Sequence, residues 1–166
     1  MRCPLAPLIA AALILALLAA SAPLARAQAD PFPRTVTDAA GHTLTIPARP
    51  ALVAIVGDDP ALAQVVEGEA LRALPVPPPD APPWDGIGLL VIPDLYATAY
   101  PALLASAEAA GVPVFVTTPL ASLDAYRERV TALGRATGRD ARAAALLTRL
   151  GRRISALRAA LEGRPA

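Results

Sequence analysis

Residues equipped for chemistry are scarce in this sequence, and their types favour gripping a molecule over transforming one. There is one histidine, His42, and one cysteine, Cys3. No G-x-S-x-G occurs, and no Cys–His or Ser–His pair stands in a context suited to nucleophilic attack. A side-chain metal site needs several converging histidines or carboxylates, and one histidine beside a turn does not supply them. Gly86-Ile87-Gly88 precedes a strand-like run instead of joining strand to helix, so it is not a dinucleotide fingerprint. What remains suits non-catalytic ligand capture. Trp84, Tyr96 and Tyr100, three of the six aromatic residues, offer flat apolar faces, and Asp58, Asp59, Asp94, Thr117 and Thr118 offer polar groups to orient a bound molecule. The plainer roles are partial burial for each tyrosine and helix capping for Asp58 and Asp59.

Such residues act only where a framework brings them together, and composition limits what that framework can be. The 166-residue chain is 55% hydrophobic and 17% charged, too apolar to be wholly disordered. Fifteen arginines (there is no lysine) against fourteen acids leave a net charge of +1, and a nearly neutral chain makes a poor nucleic-acid binder. Residues 1–29 read as a cleaved secretory signal peptide. Arg2 gives a positive start, 8–20 is an uncharged apolar run, and Ala25-Arg26-Ala27 and Ala27-Gln28-Ala29 offer A-x-A cleavage sites. The run is shorter than the roughly 20 residues that span a bilayer. The expectation is a periplasmic, cysteine-free mature chain with thirteen arginines against fourteen acids.

The mature sequence alternates strand and helix signals. Thr35-Val36-Thr37 and 43–46 flank Ala39-Ala40-Gly41 as a β-hairpin. The apolar run 51–56 predicts a buried strand, and Asp59-Pro60 a helix start, with the helix continuing to about Leu74 despite Gly68. Six of the nine residues in 75–83 are proline, which fits a stiff surface loop and excludes a place in a sheet ladder. Strands follow at 87–92 and 112–117, with a helix at 101–110 between them. Ser122 caps a helix ending before Gly138, and a last helix spans about 140–162. Buried strands alternating with helices predict an α/β fold: an αβα layered parallel sheet of Rossmann-like form, with an N-terminal hairpin and a long C-terminal helix.

Four pieces in order carry a resemblance. They are Pro33-Arg34-Thr35-Val36-Thr37-Asp38-Ala39-Ala40-Gly41-His42-Thr43 with Ile46-Pro47-Ala48-Arg49-Pro50; Val53-Ala54-Ile55-Val56; Leu89-Leu90-Val91-Ile92 followed by Pro101-Ala102-Leu103-Leu104 and Gly111-Val112-Pro113-Val114; and Leu133-Gly134-Arg135-Ala136-Thr137-Gly138. Together they resemble the substrate-binding proteins of ABC importers for iron–siderophore complexes, haem and cobalamin. The resemblance implies two α/β lobes joined by one long helix, a ligand in the cleft between them, and a membrane permease as partner. It assigns 30–138 to the N-terminal lobe and 139–166 to the interlobe-type helix, with the second lobe absent. It also implies that the proline loop stands where the family commonly has further strand and helix. Ligands of open parallel sheets sit outside the strands' carboxyl ends, here loops 57–60, 93–100 and 117–120. A ferric siderophore, haem or cobalamin-type ligand would be captured there, with no cofactor and no catalysis.

The last helix opens an alternative. Ala143, Leu147, Leu150, Ile154, Leu157 and Leu161 repeat at spacings of four and three, with arginines off that stripe. The stripe either packs on its own lobe or, left uncovered, serves a lobe-derived interaction module that carries no transport ligand and forms a homodimer through 140–162.

Overall fold

The computed structural model describes residues 31–66 and 70–162. The expected signal peptide, and with it Cys3, falls outside the described residues. No helix among those described is long and apolar enough to cross a membrane.

An antiparallel hairpin comes first: β1 (Arg34–Thr37) pairs β2 (Thr43–Ile46), with Arg34 opposite Ile46 and Thr37 opposite Thr43. There follow β3 (Leu52–Val56), α1 (Pro60–Val65), β4 (Leu71–Leu74) and β5 (Ile87–Pro93). The chain continues through α2 (Asp94–Ala99), α3 (Pro101–Ala109), β6 (Val114–Thr117), α4 (Leu123–Thr137) and α5 (Asp140–Glu162). Strands β3 to β6 form one parallel sheet in the order β4-β3-β5-β6. The expected α/β architecture is therefore present.

Both faces of the sheet are covered, which is why its strands read as continuous apolar runs. On one face Val53, Ile55, Leu89, Val91 and Phe115 pack against α1, α4, the hairpin and the start of α5. On the other, Ala54, Val56, Leu90, Ile92 and Val116 meet Leu103 and Ala107 of α3. Fully burying a Leu, Val or Phe side chain contributes roughly 1.5–3 kcal/mol, so these two layers dominate the stability.

Two elements differ from the sequence expectation. The helix begun at Pro60 does not reach Leu74; it stops at Val65, and Val66 is already extended. Leu71–Leu74 instead forms β4, in parallel register with Val53 to Val56. Leu, Arg and Ala favour helices intrinsically, but β3 would otherwise leave a row of backbone groups unpaired, and tertiary pairing overrides a preference of a few tenths of a kcal/mol per residue. A further strand thus does precede the proline loop. The second difference is α2, a short helix within the expected loop 93–100, seeded by Asp94 in its first turn.

The remaining boundaries follow local chemistry. Ser122 accepts a hydrogen bond from the Ala125 N–H at 3.0 Å, a cap worth about 1 kcal/mol. At the other end of α4, Gly138 takes φ +67°, which lets the Arg139 N–H reach back to the Gly134 carbonyl at 2.8 Å. Arg34 fastens the hairpin to this corner. Its guanidinium donates to the Arg135 carbonyl at 3.0 Å and the Asp140 carboxylate at 2.7 Å, and lies 4.7 Å from the Phe32 ring centroid.

Candidate functional site

The order β4-β3-β5-β6 contains one reversal. The chain moves from β3 outward to β4, then returns to place β5 on the other side of β3. After β3 it turns into α1 on one face, and after β5 into α2 and α3 on the opposite face. The two loops, 57–59 and 93–96, diverge at the strands' carboxyl ends, the place where open α/β sheets bind ligands.

Tyr96 packs against the loop that follows β3. Gly57 has φ +71°, and a β-carbon there would stand 3.1 Å from Cε2 of Tyr96. The glycine thus does two things: it turns the chain away from β3 and leaves room for the ring. Tyr100 follows one turn later, its ring centroid 6.1 Å from that of Tyr96 at an interplanar angle of 35°. Both side chains are half-buried against the sheet. Asp94 stands two residues before Tyr96 at the start of α2, partly exposed, its Oδ1 accepting from the Leu95 N–H at 2.7 Å. Asp58 is exposed in loop 57–59, where it helps line a concavity of about 360 Å³ with Gly57, Pro60 and Leu71. Asp58, Asp94, Tyr96 and Tyr100 therefore all stand at the strands' carboxyl ends, with the concavity beside Asp58 on the α1 face and the two tyrosines packed on the α3 face.

The other expected residues lie differently. Asp59 is buried, and its Oδ1 accepts from the N–H groups of Ala61 and Leu62 at 2.9 and 3.0 Å while Oδ2 takes an ion pair from Arg129 at 3.2 Å. It is the cap of α1, held from behind. Thr117 is buried at the end of β6, and Thr118 lines a separate concavity of about 280 Å³ with Asp38, Phe115 and Arg129. Trp84 stands at the amino end of β5, since its carbonyl accepts from the Ile87 N–H at 3.0 Å. Its indole donates to the Ser106 hydroxyl at 2.8 Å. A whole strand separates it from the tyrosines.

Two buried charged residues that hold these loops and the hairpin escaped the sequence reading. Arg129 is 91% buried, from a side-chain exposure of 9%, and pins the α1 cap to α4. The signal was its position: Tyr126, Arg129, Val130 and Leu133 share one face of α4, so an arginine sits on an apolar stripe. Asp38 is the second. Its side chain is wholly buried and accepts from the N–H groups of Ala40, His42 and Val116, at 3.0, 2.8 and 3.1 Å. With the Ala39 N–H donating to the Val116 carbonyl at 3.2 Å, the hairpin turn closes the open edge of β6. His42 rests beside it, Nδ1 at 3.1 Å from Asp38. No group of three or more potential metal-ligating residues occurs among those described. The arrangement can present aromatic surface and carboxylates to a solvent-borne molecule. No protein-family model matches this chain, and a search of curated proteins finds no similar one.

Proposed function

We propose that the protein is an exported, non-catalytic substrate-binding component of an ABC importer, taking a ferric siderophore, haem or cobalamin-type ligand. The observation that carries this reading is the pair of half-buried tyrosines at the sheet's switch point, Tyr96 against Gly57 and Tyr100 tilted beside it. Paired aromatic side chains suit a large planar or macrocyclic chelate better than a small polar metabolite. Asp58 and Asp94 supply the polar contacts. Calorimetric titration with ferrioxamine B, haemin and cyanocobalamin tests the reading. Saturable heat with one of the three is expected; no saturable heat with any of them rejects it.

A second reading, an interaction module acting through 140–162, is favoured by one observation. The apolar stripe of α5 leaves the lobe: Ala143 is buried, Leu147 is half-buried, and Leu157 and Leu161 are 60% and 62% exposed.

A further inference from the structure

Helix α5 has a covered half and a free half. Its beginning is anchored, with Ala143 in the core and Arg142 Nε donating to the Gln64 carbonyl of α1 at 2.7 Å. Beyond Gly151, which has no neighbouring atom within 4 Å of its β position, exposure rises along the stripe: Leu150 and Ile154 are half-buried, and Leu157 and Leu161 are exposed. These four side chains continue along one line.

The shape of that line discriminates among occupants. At 3.6 residues per turn the four side chains span an arc of only about 60°. A helix lying on a bilayer or a broad core presents an apolar face of roughly 100° or more; a narrow stripe at spacings of four and three is the seam of a two-helix contact. Placed in that heptad frame, Leu150 and Leu157 are d positions, and Ile154 and Leu161 are a positions. Arg153 and Arg158 then occupy the g and e positions that border the seam. With Arg149 and Arg152 they make four arginines against Glu162 alone in 149–162, a net charge of +3. None of these arginines is ion-paired among the described residues. A second copy laid parallel would set Arg153 against Arg158 of its mate, like charge on like, and neither direction offers acids to match.

We propose that the free half of α5 docks an acidic amphipathic helix of another protein, one with its own apolar heptad stripe and Glu or Asp at its e and g positions. The stripe supplies the affinity and the flanking charges choose the partner. This rests on α5 alone and is independent of any ligand at the strand ends.

The test uses the purified protein and two labelled synthetic peptides of three heptads, both with Ile and Leu at a and d. One carries Glu at every e and g position, the other Lys. Fluorescence anisotropy is expected to show saturable binding of the Glu peptide, at least tenfold tighter than the Lys peptide. The Arg153→Glu/Arg158→Glu variant reverses that preference, and Leu157→Asn/Leu161→Asn abolishes binding, while circular dichroism shows both variants folded. Failure of the Glu peptide to bind, equal binding of both peptides, or binding that survives the leucine substitutions overturns the proposal. So does occupation of the stripe by something else, seen as concentration-dependent self-association or as binding to phosphatidylglycerol vesicles that these leucine substitutions abolish.

Discussion

The Tyr96 ring rests on the backbone of Gly57, 3.1 Å from where a β-carbon would be. That contact joins the two loops that leave the sheet in opposite directions, one aromatic side chain lying against a residue without one. The packing of the two loops thus depends on a glycine with φ +71° and on the ring beside it.

Gly57→Ala is expected to disturb both. The added methyl meets the ring at less than normal contact distance, and the left-handed backbone disfavours any β-carbon by about 1 kcal/mol. Denaturant unfolding is expected to show a loss of about 1–2 kcal/mol. Tyr96→Ala in the same background should recover the steric part of that loss. Equal stability of Gly57→Ala and wild type would show that the contact is not constraining.

Asp59 and Arg129 form a buried pair, and truncating either partner leaves a buried charge unmatched. Arg129→Ala is expected to cost about 3 kcal/mol in urea unfolding, and Asp59→Ala at least as much because the α1 cap is lost too. The combination Asp59→Ser/Arg129→Met keeps a cap and removes both charges, and should lie closer to wild type than either single truncation. A double variant that is simply the sum of the singles would refute the coupling.

Asp38→Ala unclips the hairpin from β6. Three backbone N–H groups, those of Ala40, His42 and Val116, lose their acceptor at once. A stability loss of roughly 2–3 kcal/mol is expected, with faster amide hydrogen exchange at Val116. Unchanged exchange there would mean that the turn does not seal the edge.

The fold was readable wherever local chemistry and tertiary packing agree. Ser122, Gly138 and the apolar face between them bound α4, and the runs at 51–56 and 87–92 announced strands buried on both sides. Strand β4 was not readable, because Leu71-Arg72-Ala73-Leu74 is poor in β-branched residues and becomes a strand only by pairing with β3. At the site, the capping of Asp59 followed from the proline after it. The separation of Trp84 from the tyrosines was implicit in strand direction, since Trp84 precedes the strand that Tyr96 follows. The Asp59–Arg129 pair joins positions seventy residues apart, and no local pattern announces such a partner.

Truncating the outer leucines of α5 should cost little. Leu157→Ala and Leu161→Ala are expected to lie within about 0.5 kcal/mol of wild type, whereas Leu133→Ala, fully buried in α4, should cost about 2–5 kcal/mol. Thermal or urea unfolding of the three variants checks this. A large loss at Leu157 would mean that the lobe covers the stripe after all.

Capture of a chelate at the switch point, proposed above, is tested most directly by amide chemical-shift mapping of the isotopically labelled protein. Titration with ferrioxamine B, haemin and cyanocobalamin, using the gallium analogues of the first two where paramagnetism broadens signals, is expected to give saturable shifts with one of them. Those shifts should centre on Gly57, Asp58, Asp94, Tyr96 and Tyr100, and Tyr96→Ala should weaken them at least tenfold. No saturable shift with any ligand, or shifts centred on Trp84 and the proline loop at the opposite end of the sheet, would rule out capture at the switch point.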